Sequence, residues 1–344
     1  MIHAQERILV NFPSYLIALL PLSLISGPFL SDLSIHLVGI FFLINIVINK
    51  EYSFLKNKFT LIFSIFSLYL FVNSLIKYYD IHSIRSSLGY IRFGIFSLAV
   101  FYFLEKRNEI IKWTFITFLV GYLLLIFDGY YQYFNKVSFF LEIETTADGR
   151  ISSLFGSELI MGSYLSRLFP IFLGVTFYLF KEKKSILILL SLIFILVEVL
   201  IFLSGERASF FFNTLAAVYI ILMIKDFKKI RLFSFLISIV VIILVSSIDN
   251  SAKKRIVNET ISQMGLTSEK KYVFSPVHES HYISAYRMFL DNKILGIGVR
   301  NFRNFCNEER YKLSERSCTT HPHNTYVQIL SETGLIGFIF ITSI

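Results

Sequence analysis

Apolar residues fall in long runs along this chain, near 12–30, 33–48, 59–76, 88–104, 110–134, 158–180, 185–203, 208–224, 231–248 and 326–344, separated by short polar stretches. Most runs reach the roughly 20 residues that a helix needs to cross the hydrocarbon of a bilayer. Ten spanning helices are predicted, with the short run 33–48 tilted or partly re-entrant. The expected fold is all-α. A polytopic transmembrane bundle fills 1–248, a long outer loop or cap covers 249–325, and a last spanning helix runs over 326–344.

Composition supports this pattern. Of 344 residues, 55% are hydrophobic, more than a soluble protein of this length can bury but no difficulty for a bundle that faces lipid. No repeat of 20–50 residues and no low-complexity tract is present. Only Arg7 precedes the first apolar run and no small-x-small cleavage site follows, so the segment reads as a retained first span.

Loop charge sets the expected orientation. With the N-terminus cytoplasmic, the inner loops hold Lys50, Lys56 and Lys58; Lys106, Arg107 and Lys112; Lys181, Lys183 and Lys184; and Lys225, Lys228, Lys229 and Arg231. The outer loops hold Lys77 and Arg85, then Lys136 and Arg150, then Arg207. Thirteen cations against five, alternating without a break, satisfy the positive-inside rule. The formal charge of +9 is thus read as anchorage to anionic membrane lipids, and nucleic acid is excluded as a partner for want of any motif.

The same orientation puts 249–325 outside, with twelve Lys and Arg against eight Asp and Glu. Four of the seven histidines (His278, His281, His321 and His323) and both cysteines lie there. Cys306 and Cys318, confined to an exported loop, read as a disulfide worth roughly 3 kcal/mol at best, with two free thiols as the alternative. Tyr282, Tyr286 and Phe289 fall at helical spacing in a short capping helix that carries Arg287 and is broken by Asn292, Gly296 and Gly298.

Chemistry concentrates at the start of the last run, in His321-Pro322-His323-Asn324. Asn324 is a favourable N-cap. A helix placing His323 and Gly334 eleven residues apart sets them on one face, about 16 Å apart along the axis. Gly334 and Gly337, on adjoining turns, predict close packing by another helix. Arg207 in the turn Ser204–Gly205–Glu206, Arg287 in the capping helix and His323 are expected to meet at the outer face. Two guanidinium groups suit a diphosphate, and an imidazole that those charges keep neutral suits proton removal. The trio fits attack by a hydroxyl on a carbon whose leaving group is a diphosphate. Arg150, His321 and Asn324 are candidate substrate-binding residues.

Blander readings compete. Arg207 pairs with Glu206 or snorkels to headgroups, Arg287 is a solvated loop charge, and His321 shapes the turn with Pro322. A metal reading is weak, because His278-Glu279-Ser280-His281 falls one residue short of the HExxH spacing and His321 and His323 need not converge. No Asp-x-Asp pair is present to hold a nucleotide-sugar through a metal, so neither metal nor cofactor is expected. Arg92, Asp128, Arg167, Glu198 and Glu332 fall within the spans, where charges face cavities or partners. Arg167 is expected to pair with Asp128 or Glu198.

These residues resemble the O-antigen ligase and O-antigen polymerase superfamily of bacterial inner membranes. Its pattern of His, a polar residue, nine residues and Gly-x-x-Gly is matched by His323-Asn324, Thr325 to Thr333, and Gly334-Leu335-Ile336-Gly337. Arg207 matches the family arginine after an outer turn, and Arg287, ahead of Gly296-x-Gly298, matches the arginine of the long outer loop. The resemblance covers roughly residues 150–344. It implies a metal-independent, inverting glycosyltransferase that uses a glycan on undecaprenyl diphosphate, with a glycolipid such as lipid A–core, or a growing glycan, as acceptor. His323 would be the general base, and Arg207 and Arg287 would hold the diphosphate. Phe211 and Phe338 depart from the ligase pattern and leave ligase and polymerase both open. The family usually continues past the His-to-Gly helix, so a truncated product is expected. A lipid-linked glycan transporter is the rival of another class, disfavoured because the polar groups gather at one face rather than at the midplane between two repeats.

Overall fold

A computed structural model describes residues 2–77, 80–180, 183–248, 250–263 and 275–343. Part of the expected cap (249 and 264–274) and Lys181 lie outside these residues. Among the described residues, twelve helices of nine residues or more carry the fold: α1 (Ile2–Ile25), α2 (Pro28–Asn49), α3 (Lys58–Ile76), α4 (Ile81–Gly89), α5 (Ile91–Lys106), α6 (Glu109–Asn135), α7 (Met161–Phe180), α8 (Lys184–Leu203), α9 (Arg207–Met223), α10 (Lys228–Ile248), α11 (Pro276–Asp291) and α12 (Thr325–Ser343). Among the described residues no strand forms, and an isolated bridge joins Val137 to Glu144.

Among the described residues, eight stretches are long and apolar enough to cross a membrane, and α8 and α9 add two shorter apolar helices. The chain is therefore a multi-pass, all-α membrane protein. The run 33–48 is a correction: it belongs to α2, a full helix of 22 residues. The boundary falls earlier than the apolar pattern placed it because Gly27 adopts φ +112° and Pro28 starts the next helix. Large side chains such as Phe233, Leu236, Val240 and Leu244 on α10 are exposed, as a lipid-facing surface requires.

The elements gather into two compact units that interleave along the chain. One comprises 1–34 and 103–260, the other 35–102 and 261–344. The grouping cuts across the linear order, since the final helix belongs with α3 and α4 rather than standing after a separate cap.

In the first unit, α6 and α8 supply the fully buried Tyr122, Leu125, Val197 and Leu200, and α7 supplies Leu165 and Phe172. Tyr122 stacks on Phe172, with centroids 5.1 Å apart. The buried carboxylate of Asp128 on α6 holds the loop that follows. It accepts hydrogen bonds from Ser138 Oγ (3.0 Å), Phe139 N (2.8 Å), Phe140 N (3.1 Å) and Ser153 Oγ (2.8 Å). One turn later Gln132 Oε1 accepts from the amides of Ser152 (3.0 Å) and Ser153 (2.8 Å). Glu198 accepts from Asn213 and Thr214 of α9. These partners replace the expected pairing of Arg167 with Asp128 or Glu198.

In the second unit, α12 is broken at Gly334, whose φ of 65° and ψ of −165° leave the helical region. The loop 293–298 fills the break. Ile297 N donates to Ser331 O (2.9 Å), Gly298 N to Glu332 O (2.9 Å), and Leu335 N to Lys293 O (2.8 Å). Tyr69 of α3 donates to Thr333 O at 2.5 Å. The backbone groups freed by the break thus find partners, as buried polar groups must. Asn73 Nδ2 to Leu295 O (2.6 Å) and Ser83 Oγ to Val299 O (2.7 Å) fix the same loop to α3 and α4. Glu332, buried in α12, accepts from Phe302 N (3.2 Å) and Gln328 Nε2 (3.2 Å).

Two expectations about α12 change here. His323 precedes the helix, so it shares no helical face with Gly334, and its own φ is +56°. The close approach at Gly334 is made by a loop and not by another helix: a Cβ there would lie 2.3 Å from Ile294 O. At Gly337 a Cβ would meet the Thr333 side chain of the same helix.

Candidate functional site

Two clusters carry the candidate chemistry, one in each unit. In the second unit, α11 opens with Ser275, whose side chain accepts from His278 N (3.2 Å), and with Pro276 in the first turn. That start fixes His278 and His281 one turn apart on the same face. Facing them is the segment that ends at α12. Its conformation is held by the Cys306–Cys318 disulfide, with Cα atoms 4.9 Å apart. Asn324 caps α12 by accepting from Val327 N at 3.1 Å.

All four histidines of the region converge. The His323 ring lies 4.3 Å from His321 and 5.5 Å from both His278 and His281, centroid to centroid, and His278 lies 6.1 Å from His281. His281 is buried, His278 and His321 are half-buried, and His323 is exposed. Burial pushes the His281 imidazole below its ordinary range, and His323 pushes the same way against a hydrogen bond to the Arg316 carbonyl. His321 is lowered by burial and then by His323, Arg303 and His281. The exposed ring therefore neighbours two imidazoles, His281 and His321, that are biased toward the neutral form. Ser275 Oγ contacts His278 Nδ1 at 2.8 Å and Thr320 Oγ1 contacts His321 Nδ1 at 3.0 Å, while the Tyr282 hydroxyl bonds the Asn324 side chain. Among the described residues, no group of three or more His, Cys, Asp or Glu is arranged to hold a metal ion.

Arg287 sits in the same unit, half-buried on α11. Nine residues of helix turn it about 180° from His278, onto the opposite face. The guanidinium group whose charge reaches His321 is Arg303, a residue that the sequence pattern did not single out. Only the fold, which brings the Arg303 carbonyl within 3.6 Å of Cys306 Sγ and 3.9 Å of Cys318 Sγ, reveals it.

In the first unit, Gly205 adopts φ +69° in the turn before α9, and Arg207 is the first residue of that helix. The Glu206 carboxylate is occupied by Gly162 N (2.6 Å), Ser163 N (2.9 Å), Ser163 Oγ (2.8 Å) and Ser209 Oγ (3.0 Å), which tie the turn to the start of α7. Arg150 Nε donates to Ser204 O (3.1 Å) and Arg255 Nε donates to Gly205 O (2.9 Å). Arg255 also pairs with Asp148 at 3.4 Å. Burial lowers the Arg150 guanidinium below its usual range. The positive charges of Arg255 and Arg207 lower it further, against Glu206 and Asp148. Arg150, Arg207 and Arg255 thus form one cationic cluster, suited to phosphate oxygens. The sequence pattern offered Arg150 and Arg207. Arg255 lay unmarked among other loop cations.

Residues 189–342 match the model of a family described as O-antigen ligase. Over that stretch the chain is similar to the O-antigen ligase family. The matched span contains Arg207, Arg255, Arg287, Arg303 and all four clustered histidines, while Arg150 lies outside it. No curated protein matches the chain. An O-antigen ligase family member is a membrane glycosyltransferase of ligase or polymerase type, which acts on a lipid-linked glycan donor and a glycan acceptor. Both clusters are chemically apt for that reaction class.

Proposed function

We propose that the chain transfers a glycan from undecaprenyl diphosphate to an acceptor hydroxyl at the periplasmic face of a bacterial inner membrane. The family match over 189–342 is the observation that carries this reading. In the reaction, His323 takes the proton of the acceptor hydroxyl. The freed oxygen forms a bond to the anomeric carbon, and the bond from that carbon to the diphosphate oxygen breaks. Its electron pair leaves with the diphosphate, and the anomeric centre inverts. No metal takes part.

An exposed His323 ring, beside His281 and His321, supports a base that an acceptor hydroxyl can reach. Arg207, with Arg150 beside it, takes the growing charge of the leaving group. Arg287 is kept as a second cation for the same substrate on the strength of the family resemblance. His321 and Asn324 contact the acceptor. Ligation to lipid A–core is the leading reading, and chain polymerisation is the second, because Phe211 and Phe338 depart from the ligase pattern and leave both open.

The test is transfer by the reconstituted full chain from a purified lipid-linked glycan to a core glycolipid or to a second donor molecule. Loss of transfer in Arg207→Ala and Arg287→Ala, with membrane insertion intact, is expected. Unchanged turnover in either variant removes that arginine from the mechanism.

A further inference from the structure

We propose that Arg150 and Arg255 form a paired grip for the phosphate oxygens of a polyprenyl diphosphate, built on the turn that ends at Arg207. The proposal rests on the transferase reading above and adds Arg255 to it. Consecutive carbonyls, Ser204 O and Gly205 O, each receive one guanidinium Nε, at 3.1 Å and 2.9 Å. Fixing both groups through Nε turns their outer nitrogens away from the turn, where a ligand can take them in the forked manner that phosphate favours once it displaces Asp148 from Arg255 Nη1. Gly205, at φ +69°, brings the turn close to both stems: a Cβ there would lie 3.0 Å from Arg255 Cδ and 3.4 Å from Arg150 Cγ.

The support for each arginine is also built in. Gly149 N donates to Thr146 O (2.8 Å) and Thr146 N to Arg150 O (3.2 Å), closing the loop that delivers Arg150. A Cβ on Gly149 would lie 3.1 Å from Ser251 Cβ, so that loop is pressed against the segment delivering Arg255. Two like charges held this close repel each other. Glu206 is taken up by its four donors, and the Asp148 contact to Arg255 is a long one at 3.4 Å. An arriving diphosphate relieves that repulsion. Beside Arg255 a cavity of about 470 Å³ opens, in which Lys136, Lys254 and Arg255 face the carboxylates of Asp148 and Glu259 and the hydroxyls of Thr145 and Thr146.

The experiment titrates undecaprenyl diphosphate against the purified full chain in phosphatidylcholine nanodiscs. Arg255→Lys and Arg255→Gln are expected to weaken binding at least about tenfold, since an ammonium cannot hold Gly205 O and still present a fork. Asp148→Asn is expected to tighten binding by freeing Arg255, a gain that misfolding cannot mimic. Wild-type affinity in Arg255→Lys, or weakened binding in Asp148→Asn, overturns the proposal. A second arm replaces part of the phosphatidylcholine with phosphatidylglycerol. If that lipid abolishes the Arg255 dependence, the pair holds a phospholipid headgroup and the proposal is overturned. Arg255-dependent binding without glycan transfer supports the grip and removes the transferase reading. Full transfer with Arg255→Lys at wild-type affinity removes the grip alone.

Discussion

A histidine that works as a base must be reachable, and its neighbours must not compete for the proton. His323 is exposed, while His281 and His321 are held below the ordinary histidine range by burial and by one another. A lowered folded value means that the unfolded chain binds more protons than the folded one below the unperturbed value of about 6.5. Stability therefore rises with pH through that window, is fully present above it, and is lost on acidification. Thermal unfolding in detergent is expected to shift to lower temperature between pH 7.5 and pH 5.5, and His281→Gln is expected to shrink that shift. A shift of the same size in His281→Gln would remove the buried imidazole as its source. At this scale the sequence was partly readable. The cap at Asn324 and the pairing of Cys306 with Cys318 follow from local chemistry. The convergence of His278 and His281 with His321 and His323 does not, because some forty residues separate the pairs and no periodicity links them.

Among the elements, α12 differs most from its apolar pattern. A run from 326 to 344 looks like one helix, yet Gly334 breaks it and the loop 293–298 repairs the break. Sequence shows both glycine motifs but not that one closes on the other, since the joining forces are backbone hydrogen bonds that any residue can make. The two glycines of α12 should respond differently to substitution. Gly334→Ala combines a positive φ with a Cβ 2.3 Å from a backbone oxygen that cannot retreat. It is expected to cost about 2 kcal/mol or more. Gly337→Ala keeps an ordinary φ but sets its Cβ 2.4 Å from Thr333 Cβ in its own helix, so it is expected to destabilise as well, by less than Gly334→Ala. Thermal unfolding of the two variants decides this, and equal losses would contradict the repair of the break by the loop. Asp128 makes the same point about legibility. A carboxylate within an apolar run was expected to seek a cation, and it instead binds two backbone amides and two hydroxyls. Donors of that kind are present in every loop and leave no mark in the sequence.

For the whole molecule, hydropathy gave the helices and the membrane class, because lipid sets span length almost regardless of sequence detail. The grouping of those helices into interleaved units depends on which faces pack, and the apolar runs carry little of that information. The proposed transferase is expected to keep full activity in excess chelator, measured as product formed from a purified donor, whereas loss of activity restored by one added metal would overturn the metal-free mechanism. The most direct measurement of the central claim is single-turnover glycan transfer in proteoliposomes by wild type and His323→Ala. The account predicts a fall of about 10²- to 10⁴-fold in rate with donor binding and thermal stability retained. Transfer by His323→Ala at the wild-type rate would contradict it.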